Sequence, residues 1–130
     1  MPVPDVEKTA IVNLLSEFSQ SENPMIRSLS LQRLQEWSGT ENTTVNAAIN
    51  AGLYDPESTV RASTVRVIQT NEHLIPQHRA ILLSMLNDPN EDSMVKISAS
   101  EALSKIELSE DEASLVNSVM VKENILQLSE

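Results

Sequence analysis

The chain has no cysteine, two glycines and three aromatic residues, and each scarcity removes a class of function. Without cysteine there are no disulfides and no thiolate metal sites. Gly39 and Gly52 are too few and too far apart for a glycine-rich, phosphate-cradling loop. Trp37, Tyr54 and Phe18 do not recur on one surface, which excludes a base-stacking platform for nucleic acid. Basic residues are also scarce: 9 Lys and Arg stand against 19 Asp and Glu, a net charge of −10. Binding to a phosphate backbone draws on a basic stripe, so nucleic acid is not an expected partner. No apolar run reaches the roughly eighteen residues of a membrane span, and no membrane partner is expected. The start, Met1-Pro2-Val3-Pro4-Asp5, lacks a basic segment followed by an apolar one. It reads as untargeted, and the cytoplasm is the expected compartment.

What is present is aliphatic. The hydrophobic fraction is 40% of 130 residues with almost no aromatic share, so a single domain must build its core from Leu, Ile, Val, Met and Ala.

Three short segments share a shape: Asn23-Pro24-Met25-Ile26-Arg27, Asp55-Pro56 through Val60-Arg61, and Asp88-Pro89 through Val95-Lys96. Each is Asn or Asp before Pro, a short stretch, then an aliphatic residue and a base. From Arg27 to Arg61 to Lys96 the spacings are 34 and 35 residues. Four residues after each aliphatic anchor comes a small side chain (Ser30, Thr64, Ala99) and eight after it an aliphatic one (Leu34, Ile68, Leu103). Offsets of about four and eight lie on one helical face. Asn or Asp can cap a helix whose first position is Pro, and Asp88 with Glu91 has capping-box spacing, so each turn is expected to start a helix. Apolar periodicity before each turn (Ile11, Leu14, Leu15, Phe18; Val45, Ala48, Ile49, Leu53; Ile81, Leu82, Met85, Leu86) marks a first helix in each repeat. Helices are expected over 5–20, 24–38, 43–53, 56–70, 76–87 and 90–106. Asn42 to Thr44 opens the third of these and Pro76 the fifth. Ser109-Glu110-Asp111-Glu112 opens a seventh as a capping box, and Ile125, Leu126 and Leu128 suggest a short eighth.

The expected fold is therefore all-α, a stack of antiparallel helical hairpins with repeats at about 5–38, 42–70, 75–106 and a degenerate terminal one at 109–130. These segments resemble HEAT and HEAT-like (PBS lyase-type) repeats, in which an Asp lies in the turn between two antiparallel helices and Val-Arg follows shortly into the second. The resemblance implies an α-solenoid. It also implies a ladder in which turn acids and the following bases tie neighbouring repeats, giving Asn23, Arg27, Asp55, Arg61, Asp88 and Lys96 a structural role. The Asp88-to-Lys96 spacing is two longer, and Asn23 to Arg27 two shorter, than the six residues from Asp55 to Arg61.

Chemistry-bearing clusters are thin. His73 and His78 are not spaced to share a helical face and are expected as polar surface residues. Asp88, Asn90 and Asp92 mimic the start of a calcium loop, but Ser93 stands where Gly is needed and Ala99 where a bidentate Glu is needed. Glu107, Glu110, Asp111 and Glu112 are acids at a helix start. Asn42-Thr43-Thr44 is a glycosylation sequon that matters only in a secreted chain. No serine sits in a nucleophile-elbow context. The expectation is a non-enzyme with no metal and no cofactor.

The resemblance places the second helices on the concave side of a solenoid, which makes Leu31, Gln32, Val65, Arg66, Gln69, Ile97 and Glu101 candidates for contacting a protein partner. It also allows an accessory subunit of a chromophore-attaching enzyme such as a phycobilin lyase, or a structural module of a longer array. The apolar stretch from Val119 to Leu128 is a candidate for self-association.

Overall fold

The computed structural model describes residues 5–36 and 43–128. Among them are seven α-helices and no strand: α1 Asp5–Phe18, α2 Pro24–Gln35, α3 Thr43–Leu53, α4 Ser58–Thr70, α5 Arg79–Asn87, α6 Ser93–Leu103 and α7 Glu110–Leu128. The all-α expectation holds. Asn42 and the far end of the helix expected over 24–38 lie outside the described residues. The chain divides into two compact units, Met1–Val67 and Ile68–Glu130, with the division inside α4.

In the first unit α1 packs on α2, and both pack on α3. Its core is aliphatic: Leu34, Ile49, Val60 and Val65 are wholly buried, with Val12, Leu31, Val45 and Leu53 nearly so. Each such side chain contributes about 1.5–3 kcal/mol through removal from water. Where α3 meets α4, Gly52 lies against Thr64, and Leu31 of α2 closes on the same point. The lack of a side chain at Gly52 permits this approach.

In the second unit α6 is central, packed against both α5 and α7, which also touch each other. Burial on several sides leaves α6 with small residues, Ser98, Ala99, Ser100 and Ala102, between Val95 and Leu103. Helices approach closely where side chains are short, so the small residues follow from the central position.

All three repeat turns share one backbone register. Arg27 N–H donates to the Asn23 carbonyl, Arg61 N–H to Glu57 and Lys96 N–H to Asp92, each the first full helical hydrogen bond of its helix. The base thus stands four residues after the capping position in every turn, although the Asn/Asp-Pro pairs do not align. Only Asn23-Pro24 behaves as expected, with the Asn23 side chain accepting from Met25 N–H. Asp55 instead accepts from Glu57 N–H ahead of α4. The Asp88–Glu91 capping box does not form. Asp88 accepts from Asn90 N–H, and the cap of α6 is Asp92, which accepts from Met94 N–H. The two extra residues of this turn are looped out by that Asx turn, and α6 starts at Ser93 rather than near residue 90.

Two further boundaries differ. The helix expected over 76–87 begins only at Arg79, after two 3₁₀ turns, Glu72–Leu74 and Pro76–His78. Pro76 has no N–H to donate, which stops an α-helical ladder from running through it. The eighth helix is not separate. No Gly or Pro interrupts residues 110–128, so α7 runs straight on to Leu128. Its start is the capping box expected: Glu112 N–H donates to Ser109 Oγ, and Ser109 N–H donates to Glu112 Oε1.

Candidate interaction surface

The register shows which faces of the second helices are free. Five residues after the anchors Ile26, Val60 and Val95 stand Leu31, Val65 and Ser100, with exposures of 1%, 0% and 0%. Leu31 and Val65, expected on the accessible inner face, are therefore core residues. Leu31 reaches the spot a side chain at Gly52 would fill. The fifth position thus turns toward an adjoining helix instead of water. Six residues after the anchors stand Gln32 and Arg66, both exposed, and Glu101, half-buried.

Three of the remaining candidates, Gln32, Gln69 and Glu101, are each held by another side chain of the protein. Gln32 Nε2 donates to Ser63 Oγ at 3.5 Å. Gln69 Nε2 donates to Glu101 Oε2 at 3.0 Å, and Lys105 Nζ donates to the Gln69 carbonyl at 3.2 Å. Ile97 is half-buried. Within each unit these bonds link helices more than they offer groups to a partner.

The turn residues hold the first unit together. Arg27 grips Asp55 through two bonds, Nε to Oδ2 at 2.8 Å and an Nη2 to Oδ1 at 2.9 Å. Its Nη1 donates to the Ser21 carbonyl. Arg61 makes the corresponding bond, Nη1 to the Asp55 carbonyl at 2.7 Å, again to the residue six positions back. Burial pushes the Asp55 carboxyl up. The Arg27 bond, the Glu57 N–H and the charges of Arg27 and Arg61 outweigh it and hold the group below its ordinary value. Lys96, third in the series, is a buried residue of α6.

His78 corrects another expectation. Its second 3₁₀ turn faces inward, leaving the residue 6% exposed with Gln77 Nε2 at 3.2 Å from its Nε2. Burial lowers its pKa, so the ring is neutral near pH 7. His73 is exposed. No group of three or more His, Asp or Glu among the described residues is placed to hold a metal ion.

Comparison with protein-family models, curated proteins and solved structures gives no match. Function is therefore read from the surface itself. No described helix is long and apolar enough to cross a membrane.

The feature missed by the sequence reading is apolar. Ile11, Leu14 and Phe18, whose spacing marks α1 as a helix, are 36%, 52% and 47% exposed. Val12, one residue from Ile11, points inward instead. On α2 of the same hairpin Met25 and Leu29 are 70% and 51% exposed. Phe18 and Met25 are equidistant from the turn, as are Leu14 and Leu29. One available signal was excess: α1 carries apolar residues at Val6, Ile11, Val12, Leu14, Leu15 and Phe18, more than one buried stripe uses. Along this hairpin Glu7, Glu17 and Glu22 are exposed.

The second unit contains a pH-dependent tie. Arg79 of α5 donates through Nε to Glu112 Oε2 at 3.1 Å and through Nη2 to Oε1. The Arg79 bond, with the Ser109 N–H, pulls the Glu112 pKa from 4.5 to about 2. A folded-state pKa below the unfolded one gives stability that is complete above about 4.5 and lost as pH falls toward 2. Urea midpoints measured from pH 6 down to about 2 should fall across that window, and in Glu112→Gln the fall should be shallower.

Proposed function

We propose that this chain is a non-catalytic, HEAT-like helical-repeat module of the α-solenoid type that binds a protein partner. The observation that carries the reading is the exposed apolar surface of the α1–α2 hairpin, built from Ile11, Leu14, Phe18, Met25 and Leu29. Large apolar side chains gathered on one hairpin and flanked by charge mark a recognition surface rather than scattered exposure. Support for the repeat assignment comes from the turns, where three bases occupy the same backbone position 34 and 35 residues apart. The second-helix face expected to bind is reduced to the exposed Gln32 and Arg66, since Leu31 and Val65 are in the core.

The partner is an amphipathic helix with aliphatic anchors and basic flanks. Apolar anchors suit the hairpin's face. Basic flanks suit Glu7, Glu17 and Glu22 on a chain of net charge −10. A fluorescein-labelled Leu/Lys amphipathic peptide serves as probe, followed by anisotropy. Wild type should bind it, with affinity falling as salt rises. The Leu14→Asp, Leu29→Asp double variant should bind at least about tenfold more weakly, with its circular dichroism spectrum unchanged. Equal binding by wild type and variant would overturn the assignment of this face.

A further inference from the structure

We infer that Met25 is a site of reversible sulfur oxidation, and that its conversion to the sulfoxide by a peroxide weakens partner binding at the α1–α2 face. This rests on that face being the partner surface proposed above.

The chain has no cysteine and five methionines, so its sulfur chemistry is thioether chemistry alone. Met1 lies outside the described residues. Of the others, Met25 is 70% exposed, Met94 42% and Met85 5%, while Met120 is half-buried. A thioether is oxidised where solvent reaches it, which puts Met25 first.

Position gives the reaction a consequence. Met25 and Met94 are local equivalents: each directly precedes the aliphatic anchor of its helix, and each donates its N–H to the capping side chain at 2.9 Å, Met25 to Asn23 and Met94 to Asp92. Their surroundings differ. Met25 shares its hairpin with the exposed Ile11, Leu14, Phe18 and Leu29. On the α5–α6 hairpin Met94 is the one large hydrophobic exposed among the described residues.

With hydrogen peroxide the sulfur of Met25 takes up one oxygen atom. The O–O bond breaks, an S–O bond forms, the sulfur loses two electrons and one water leaves. The product is neutral but polar, with an oxygen that accepts hydrogen bonds. A partner's aliphatic anchors offer that oxygen no donor, so covering it strips its water without replacement. The fold is spared, because the side chain stands mostly in solvent and the capping bond uses the backbone N–H of Met25. Enzymes that reduce methionine sulfoxide restore the thioether.

The whole chain, treated with hydrogen peroxide and then catalase, is mapped by peptide mass spectrometry and titrated with the fluorescein-labelled Leu/Lys peptide, which contains no sulfur. Met25 sulfoxide should form at least about tenfold faster than Met85 sulfoxide. Saturating peptide present during treatment should slow oxidation of Met25 and leave Met94 unaffected. Oxidised wild type should bind at least about fivefold more weakly, with an unchanged circular dichroism spectrum. Its salt dependence should keep the same slope, since no charge is added. Met25→Leu, of similar volume and without sulfur, should bind like untreated wild type and ignore peroxide. Met94→Leu should stay as sensitive as wild type. Undiminished binding by the oxidised chain overturns the inference, as does an equal loss in peroxide-treated Met25→Leu. In both cases weaker binding by the untreated Leu14→Asp, Leu29→Asp variant keeps the face assigned. If that variant binds as untreated wild type does, the face and the inference fall together.

Discussion

Replacing Gly52 with alanine is expected to destabilise the protein by about 1–3 kcal/mol, the sign opposite to the usual gain. In a helix interior alanine is normally better than glycine by about 1 kcal/mol, and Gly52 lies in α3 with ordinary backbone angles. The difference is what lies next to it. A Cβ at this position would overlap Thr64 Oγ1 and crowd Leu31 Cδ1, 3.0 Å away, and Thr64 Cγ2, 3.1 Å away. Thr64 cannot swing aside: its side chain is β-branched and stiff, its hydroxyl donates to the Val60 carbonyl at 2.8 Å, and it is fully buried. Urea denaturation of Gly52→Ala, Thr64→Ala and the double variant gives a cycle that isolates the clash. Thr64→Ala alone should cost stability, because it loses a bond and leaves a void. In its presence Gly52→Ala should become neutral or stabilising, a coupling of about 1 kcal/mol or more. If Gly52→Ala raised the midpoint in the wild-type background, α3 and α4 would not approach as closely as the structure has them.

That close approach was only partly legible in the sequence. The small residues four after each anchor, Ser30, Thr64 and Ala99, signalled that another helix comes near, but nothing local said that Gly52 was the surface they meet. The helices themselves were readable from apolar spacing, and the Ser109–Glu112 capping box from four consecutive residues, because both depend on neighbours along the chain. The caps of α4 and α6 were misplaced for an equally local reason. Asp55 and Asp88 both stand before Pro and look like caps, but both close Asx turns, and Glu57 and Asp92 take the first helical bond. The interaction surface was least readable. Periodicity says that a stripe is apolar, not whether anything covers it, so the spacing of Ile11, Leu14 and Phe18 marks a helix without showing that this face is open. Leu31 and Val65, expected on an accessible inner face, are in the core for a related reason. A second helix with neighbours on two sides buries two stripes, and spacing along one helix does not reveal the second neighbour.

α7 carries the opposite mismatch, a charge where spacing calls for an aliphatic residue. Val116, Val119 and Glu123 lie at positions that share one inward face, and all three are buried. Glu123 Oε2 is out of contact with water and has no hydrogen-bond partner among the described residues. Leaving a buried polar atom unpaired costs about 1–3 kcal/mol, whereas an aliphatic side chain of similar length would extend the Val116–Val119 stripe. Glu123→Leu is therefore expected to raise stability by about 1–3 kcal/mol, seen as a higher urea midpoint at unchanged slope. Glu123→Gln, which keeps the shape and removes the charge, should fall between the two. Ser118→Leu on the outer face of the same helix should stay within about 0.5 kcal/mol of wild type in the monomer. A lower midpoint for Glu123→Leu would mean that the carboxylate is held by a favourable interaction and that the inward face of α7 is polar by design.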